Sequence, residues 1–318
     1  VHGDTDGVCA AAIAKSQFPD AQVWFTRPVR LLRDLSEIEP GTTVMIFDIA
    51  INETDKEAIF ARMRELVRTS EIIYVDHHPL PADTLKKDIP ATQIGHEIGI
   101  SSSELTFRLL IGDPKSDLDR VALWGAIADY CEQTEFVHEK LNKYDRRTIY
   151  MEAGLLSQAL GEAGGDYDYK RLVVEALSRG IPPSEIPELP ERALKATKRE
   201  WEVYEYVKNH VVTEGNLAIV YDLPSGSLGK AALYAMGVTG VDVGMCTRRE
   251  DDEIDVSIRK RADVKVDLNQ LLRRITARLG GSGGGHEGAA GATIPANMLE
   301  AFVETIKREV APIITGSR

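Results

Sequence analysis

The chain has 318 residues, of which 43% are hydrophobic and 28% are charged, and no apolar run approaches the roughly 18 residues of a membrane span. These values exclude wholesale disorder and fit two domains of about 100–200 residues each. The net charge of −12 falls entirely in residues 1–205, because residues 206–318 hold 14 basic and 14 acidic residues, so a uniformly basic surface for duplex DNA is excluded.

Strand-like and helix-like segments alternate along the first part of the chain. Residues 7–17 are small and helix-forming, and residues 21–25 are predicted to form a short buried strand. Residues 42–49 and 71–76 are predicted core strands that each run into an aspartate, and residues 53–69 between them form an amphipathic helix. Alternating βα units of this kind predict a parallel sheet with right-handed crossovers.

Two more helices are predicted before a proline-rich segment. Ser101 and Glu104 are three residues apart, which predicts a capping box at the start of a helix. A further helix is expected over residues 117–131. Residues 181–190 contain four prolines and cannot form a continuous helix. We therefore predict a first domain over residues 1–180 and a linker with a bridging helix over 181–205.

The remaining residues, 206–318, predict a second and smaller α/β domain. Three strands and two helices are expected up to residue 279, followed by a glycine cluster at 280–291 and a last helix from residue 296. The three cysteines form no Cys-x-x-Cys pair. This spacing excludes a disulfide scaffold or a zinc ribbon and favours a reducing, cytoplasmic compartment.

The most unusual side chains follow the predicted strands of the first domain. Ligands of open α/β sheets bind beyond the carboxyl ends of the strands, and the candidate residues there are His2, Asp4, Asp6, Asp48, Asp76, His77, His78 and Asp129. The chain begins with Val1 instead of an initiator methionine, so we expect the strand that precedes His2 to lie upstream of this sequence.

Each of these clusters also has an ordinary explanation. A His-x-Asp-x-Asp turn is often a polar loop, Asp48 could be a helix N-cap, and a His-His pair is usually an accident of the surface. Five carboxylates held together would, however, raise one another's pKa values unless cations were bound. Oxygen and imidazole ligands without a thiolate suit Mn²⁺, Fe²⁺, Co²⁺ or Zn²⁺, and Mg²⁺ less well. The combination therefore favours a dinuclear metal site.

Five motifs resemble those of the DHH phosphoesterase superfamily with a C-terminal DHHA1 domain, including its RecJ-like, nanoRNase-like and archaeal-type members. The motifs are VHGDTDG at 1–7, MIFDIA at 45–50, VDHHP at 75–79, GAIADY at 125–130 and GSGGGHEGAAG at 281–291. They follow the family's order and span nearly the whole chain. Two departures are the Ala-Asp-Tyr at 128–130, where many relatives have Thr-Asp-Thr, and a histidine in place of the first aspartate of RecJ-type enzymes.

The resemblance implies a role for each candidate residue. His2 and Asp4 would bind one metal ion, Asp6, His77 and Asp129 the other, and Asp48 would bridge both. Asp76 and His78 would complete the catalytic site, with Asp76 orienting a ligand and His78 near the phosphate. The substrate phosphate would contact residues of the second domain, namely Gly283, Gly284, Gly285, His286 and Arg259.

The resemblance further implies an α/β hydrolase with its active site in a cleft between a parallel-sheet DHH domain and the DHHA1 domain. Two cations about 3.5–4 Å apart, Mn²⁺ first and Mg²⁺ or Co²⁺ as substitutes, would lower the pKa of a shared water toward about 7. We expect an exonuclease acting on single-stranded DNA or RNA, or on short oligonucleotides. The alternatives are a phosphatase of pAp or dinucleotides, and a catalytically weak replication or repair protein. A helicase or replisome partner and a homodimer are compatible with this resemblance, and a membrane partner is not expected.

Overall fold

The computed structural model describes residues 1–113 and 116–310, and the chain divides into two compact units at Thr197 and Lys198. The predicted second domain ends in residues 311–318, which lie outside the described residues. Among the described residues, no helix is both long and apolar enough to cross a membrane.

A small parallel sheet lies at the centre of the first unit. Its strands, in spatial order, are β1 (Val44–Phe47), β2 (Ile72–Asp76) and β3 (Gln93–His96). Every residue of β2 is buried, because helices cover both faces of such a sheet. The parallel α/β architecture is thus confirmed. Strand β3 was not predicted, since Ile94 is its single large apolar residue.

The predicted strand at residues 21–25 is wrong. This segment has no strand pairing, and 61% of Trp24 is exposed. Its backbone neighbour is Val1, whose amino group donates to the Trp24 carbonyl at 2.8 Å. The Val1 carbonyl accepts a hydrogen bond from Thr26 at 2.9 Å.

Eight helices precede the unit boundary helix in the described part of the first unit: α1 (Thr5–Gln17), α2 (Leu31–Ser36), α3 (Lys56–Leu66), α4 (Ser102–Leu110), α5 (Asp119–Ala128), α6 (Glu135–Leu141), α7 (Arg146–Ala163) and α8 (Tyr167–Ser178). Helices α5 to α8 form a separate hydrophobic core with α1. Helices α2 and α3 pack on one face of the sheet, and α1 and α4 pack on the other. The small residues of α1 are almost wholly buried, so α4, α5 and α8 approach it closely.

A long helix, α9 (Leu189–His210), follows a 3₁₀ turn at Pro183–Glu185. Pro190 lies in the first turn of α9, where its missing N–H costs no helical hydrogen bond. The boundary between the two compact units falls inside this helix.

A mixed six-stranded sheet, of order β4-β5-β6-β7-β9-β8, forms the second unit. The strands are β4 (Val212–Glu214), β5 (Leu217–Val220), β6 (Val243–Glu250), β7 (Glu253–Lys260), β8 (Ser282–Gly285) and β9 (Ala289–Pro295). Helix α10 (Leu228–Thr239) packs on one face with the end of α9. Helices α11 (Leu268–Leu279) and α12 (Leu299–Val310) pack on the other.

Candidate metal centre

Asp48 and Asp76 stand where neighbouring parallel strands end. Asp48 directly follows β1, and Asp76 is the last residue of β2. The backbone of Asp48 is left-handed, with φ of 58°, a conformation that aspartate tolerates better than most residues but that still costs free energy. Helix α3 begins only at Lys56, so the explanation of Asp48 as a helix N-cap is wrong.

One group of metal-binding side chains combines His2, Asp4 and Asp48. Their donor atoms all lie within 4.8 Å of one another. His2 Nδ1 is 2.8 Å from Asp4 Oδ2 and 3.6 Å from Asp48 Oδ2. The same nitrogen is buried and has no contact with hydrogen-bond geometry. A buried nitrogen held between two carboxylates without a hydrogen bond is what a cation ligand requires.

His77 forms the second group with Asp48 and Asp129. The Nε2 atom of His77 lies 3.2 Å from Asp129 Oδ2 and 3.5 Å from Asp48 Oδ1. Asp129 is the C-cap of α5. Asp48 thus directs one carboxylate oxygen to His2 and the other to His77, and only 2% of its side chain is exposed. The bridging role that the family resemblance implies for Asp48 would use this placement, and that role stays a prediction.

Asp6 is held by the first turn of α4. Its Oδ2 accepts a hydrogen bond from the Ser102 backbone at 2.6 Å, and its Oδ1 accepts one from Ser103 at 3.0 Å. Ser102 also donates through its hydroxyl to Asp48, at 3.2 Å. Backbone N–H groups at a helix N-terminus favour a carboxylate there. Asp6 therefore ties α4 to the site, and its predicted role as a metal ligand would use the oxygen lone pairs that remain.

The capping box predicted at this helix is half formed. Ser101 accepts a hydrogen bond from the Glu104 backbone. The Glu104 carboxylate instead accepts a hydrogen bond from Thr134 at 2.8 Å and pairs with Arg108. Thr134 thereby competes with the Ser101 backbone for this side chain.

Asp76 orients His78. The Oδ1 atom of Asp76 lies 2.8 Å from His78 Nδ1, and its Oδ2 accepts a hydrogen bond from the Tyr74 hydroxyl at 3.0 Å. A histidine held in this way keeps one tautomer and one ring orientation. His78 Nδ1 also lies 3.9 Å from Asp48 Oδ1, which brings it to the rim of the same cluster.

The carboxylates of the cluster are electrostatically unfavourable without cations. Burial, together with the charges of Asp4 and Asp6, raises the pKa of Asp48 well above its usual range. Burial and the Asp6 charge raise the pKa of Asp129 to about 7. Burial disfavours a charged His2, but Asp4 and Asp48 outweigh it and raise the His2 pKa to about 10. Bound divalent cations would reverse these shifts, because they favour ionised carboxylates and neutral imidazoles.

Sequence reasoning missed Lys170 of α8. Only 5% of Lys170 is exposed, and its Nζ donates to the Gly3 carbonyl at 2.5 Å, between the candidate ligands His2 and Asp4. Burial lowers the Lys170 pKa, and the charge of Asp4 partly offsets this. The sequence did carry a signal for this residue: Lys170 shares the apolar face of α8 with Val173, Val174 and Leu177, where a lysine that only contacts solvent would not be expected.

His96 and Cys131 were also missed. His96 ends β3, where its Nε2 lies 2.9 Å from the His78 carbonyl oxygen. The Cys131 Sγ lies 3.9 Å from His77 Nδ1 and 3.7 Å from Asp129 Oδ2. The turn after α5 brings Cys131 back toward His77, so a thiol lies beside the predicted metal ligands.

Gly125 leaves the space in which Asp6 sits. A Cβ atom at Gly125 would lie 2.3 Å from Ser103 Oγ and 2.9 Å from Asp6 Oδ1. We expect Gly125→Ala to displace both side chains, to destabilise the protein by about 1–3 kcal/mol, and to lower metal affinity by about 10–100-fold. Calorimetric titration with Mn²⁺ measures the affinity. The matched control is Gly161→Ala in α7, where a Cβ meets nothing within 4 Å. Equal metal affinity in the two variants would contradict this packing role.

The glycine cluster of the second unit forms a strand and a tight hairpin. Gly283, Gly284 and Gly285 belong to edge strand β8. A Cβ at Gly283 would lie 3.0 Å from Thr276 Cγ2 of α11, so the missing side chain lets the helix pack on the strand. The Gly285 N–H donates to Asn269 Oδ1 at 3.1 Å, so this amide already has a protein partner.

Arg259 and His286 lie close to one another in this unit. Arg259 of β7 is paired with Ala289 of β9, and the backbone N–H of exposed His286 donates to the Ala289 carbonyl at 2.8 Å. Arg259 donates to Ser257 Oγ at 2.9 Å, and a side chain at Gly229 would collide with its guanidinium group. The structure thus places the predicted phosphate-contacting arginine beside the glycine hairpin.

Residues 214–311 match the DHHA1 domain family. No curated protein matches the chain in sequence. Among solved structures, RecJ from Thermus thermophilus in complex with Mn²⁺ superposes with a TM-score of 0.66 and 16% identity, covering 98% of this chain. This chain corresponds to 51% of the length of that RecJ chain.

Two further structures have nearly the length of this chain. Exonuclease RecJ bound to manganese has a TM-score of 0.64 and 17% identity over 98% of this chain and 88% of its own. PggH, a pGpG-specific phosphodiesterase from Vibrio cholerae, has a TM-score of 0.58 and 13% identity over 98% of both chains. At these identities the likeness establishes the fold.

Proposed function

We propose that this chain, a DHH-superfamily protein with a C-terminal DHHA1 domain, is a metal-dependent phosphodiesterase that acts on single-stranded DNA or RNA or on short oligonucleotides. The observation that carries the proposal is the convergence of His2, Asp4, Asp48, His77 and Asp129 at one sheet edge. The DHHA1 match over residues 214–311 supports a second domain that contacts the substrate.

The buried donors divide into two sets that fit two divalent cations. His2 and Asp4 would hold one ion, His77, Asp129 and Asp6 the other, and Asp48 would contact both. When bound, such ions activate water and neutralise charge on the phosphate. A donor set of oxygens and imidazoles suits Mn²⁺ or Co²⁺ better than Mg²⁺, and solved RecJ structures contain Mn²⁺ or Mg²⁺.

The surrounding residues keep the donors in place. Asp76 fixes the ring of His78 through Nδ1, so that His78 can meet a phosphate oxygen through its other nitrogen. Lys170 holds the backbone of Gly3, which aligns His2 and Asp4 in the turn before α1. The amides of α4 hold Asp6. Rigid donors matter because small errors in position cost large factors in rate.

Short substrates are a specific alternative to long strands. The chain and the pGpG-specific phosphodiesterase cover 98% of each other, whereas RecJ from Thermus thermophilus is about twice as long. Equal numbers of basic and acidic residues in 206–318 also indicate few phosphate contacts. A dinucleotide or a nucleotide such as pAp is therefore the second candidate substrate.

His286→Ala should raise KM about tenfold with a smaller change in kcat, since one hydrogen bond to a charged phosphate contributes about 1.5 kcal/mol. Steady-state kinetics on a short oligonucleotide measure both constants. The matched control is His138→Ala, because His138 is also an exposed histidine and lies in the first unit. An unchanged KM would show that the glycine hairpin is structural.

The decisive assay is a time course with Mn²⁺ on end-labelled single-stranded DNA, single-stranded RNA, a dinucleotide and pAp. Stepwise loss of terminal nucleotides from the strands supports an exonuclease and gives its polarity and sugar preference. Cleavage of the dinucleotide or pAp alone supports the second candidate. Absence of hydrolysis of all four substrates, with Mn²⁺ binding demonstrated, would overturn both in favour of a non-catalytic replication or repair protein.

A further inference from the structure

A thiol lies beside the proposed metal ligands of the first unit. Cys131 follows Asp129 by two residues, and the left-handed turn at Tyr130, with φ of 58°, brings its side chain back toward His77. Cys131 is free and half-buried. The donor atoms of Cys131, Asp129 and His77 lie within 4.8 Å of one another. These three residues are called the thiol triad below.

The spacing of the thiol triad fits one tetrahedral cation. Bond lengths of about 2.3 Å to sulfur and about 2.0–2.1 Å to nitrogen or oxygen place two such ligands about 3.6 Å apart at a tetrahedral angle. The Cys131 Sγ is 3.7 Å from Asp129 Oδ2 and 3.9 Å from His77 Nδ1. His77 Nε2 is 3.2 Å from Asp129 Oδ2. One imidazole presents only one nitrogen to a given cation, and one donor atom from each of the three residues lies within 4.8 Å of the others, so the triad can hold one cation through a single nitrogen of His77.

We propose that Cys131, Asp129 and His77 form a site for a thiophilic divalent cation such as Zn²⁺ or Cd²⁺, and that this cation excludes the activating metal. Binding would release the thiol proton to solvent and form a bond between the cation and the sulfur. Thiolate ligands favour zinc and similar soft or borderline cations over Mn²⁺. Three protein ligands leave a fourth position for water.

The thiophilic cation would exclude the activating metal because the two ions use the same ligands. Asp129 and His77 belong to the thiol triad and are also proposed ligands of an activating cation. One nitrogen of His77 binds one cation, so a thiophilic ion held by the nitrogen that would bind the activating ion takes that ion's place. Zn²⁺ also binds nitrogen and oxygen ligands more tightly than Mn²⁺ does. This part of the inference rests on the proposed function: thiophilic cations would inhibit the phosphodiesterase by binding to Cys131 and its two neighbours. The binding itself can be measured whether or not the protein hydrolyses phosphodiesters.

The direct test is spectroscopic and uses the full chain. Metal-free protein is titrated with Co²⁺ and separately with Cd²⁺, and the ultraviolet charge-transfer band of a metal–thiolate bond is followed. We expect a band at one equivalent in the wild type and in Cys246→Ser, and its loss in Cys131→Ser. Cys246 is buried in β6 of the second unit, so this control removes a thiol away from the triad. A band that persists in Cys131→Ser, or its absence from the wild type, would overturn the proposal.

Two further measurements extend the test, and the first of them keeps it decisive if Cys131→Ser folds poorly. In the wild type, Cd²⁺ should protect Cys131 from iodoacetamide, as followed by mass spectrometry, and equal alkylation with and without Cd²⁺ would contradict the site. The second measurement is inhibition by Cd²⁺, expressed for each protein as the ratio of its Mn²⁺-supported activity with Cd²⁺ to that without Cd²⁺. We expect Cys131→Ser to need at least about tenfold more Cd²⁺ for half inhibition, as the loss of one ligand would require. Equal sensitivity in the two proteins would refute exclusion through Cys131.

Discussion

Asp48→Asn should lower Mn²⁺-dependent hydrolysis on the order of 10³-fold while the protein remains folded. Asp48 directs one carboxylate oxygen to His2 and the other to His77. Asparagine keeps its shape but removes the negative charge, and losing one charge of a buried set costs about 4 kcal/mol, which corresponds to about three powers of ten in rate. Turnover is measured with saturating Mn²⁺ on the best substrate.

The choice of asparagine separates chemistry from folding. Asp48 has φ of 58°, and asparagine accepts this left-handed conformation better than alanine does. Asp83 has φ of 57° and is exposed, so Asp83→Asn makes the same chemical change in the same backbone conformation away from the cluster. We expect Asp83→Asn to retain full turnover. Near-normal turnover in Asp48→Asn, with its fold verified by circular dichroism, would refute the bridging role.

Mn²⁺ should raise the melting temperature more at pH 8 than at pH 5.5. In the metal-free protein, the pKa of Asp129 is raised to about 7 and that of His2 to about 10. Between roughly pH 4 and pH 10 the folded state therefore holds more protons at these groups than the unfolded state does. By linkage, the contribution of these groups to the free energy of unfolding decreases as the pH rises through this range.

Metal ions reverse that trend because they bind ionised carboxylates and neutral imidazoles in competition with protons. At pH 8 fewer protons have to be displaced, so Mn²⁺ binds more tightly and stabilises the folded state by mass action. We expect the melting temperature of the chelated protein to fall by several degrees from pH 5.5 to pH 8, and Mn²⁺ to restore most of this loss.

Differential scanning calorimetry at both pH values, with EDTA or with Mn²⁺, measures the four melting temperatures. Asp48→Asn provides the control, since it removes one of the mutually repelling carboxylates. Its melting temperature should respond less to Mn²⁺ at pH 8. A Mn²⁺-induced increase that is the same at both pH values in the wild type would contradict proton competition at this cluster.

The first parallel strands could be predicted because hydrophobic runs ending in aspartate are a local signal. Residues 42–49 and 71–76 contain β1 and β2 as the structure has them. Strand β3 escaped prediction because Gln93–His96 carries little hydrophobic pattern, and its pairing with β2 is a long-range contact. The segment at 21–25 shows the opposite error, since an apolar pattern without a partner strand does not become a strand.

The amino-acid sequence by itself determined the inventory of donors, the parallel α/β order and the second α/β domain, because strand patterns and His/Asp motifs are local features of the chain. Tertiary structure alone decided which donors meet: Asp48 between His2 and His77, Asp6 on the amides of α4, and Lys170 on Gly3. It also placed Cys131 beside His77 and turned the glycine cluster into an edge strand. These outcomes depend on contacts between residues far apart in sequence, whose geometry is set by packing and backbone turns and leaves no periodic signal in the chain.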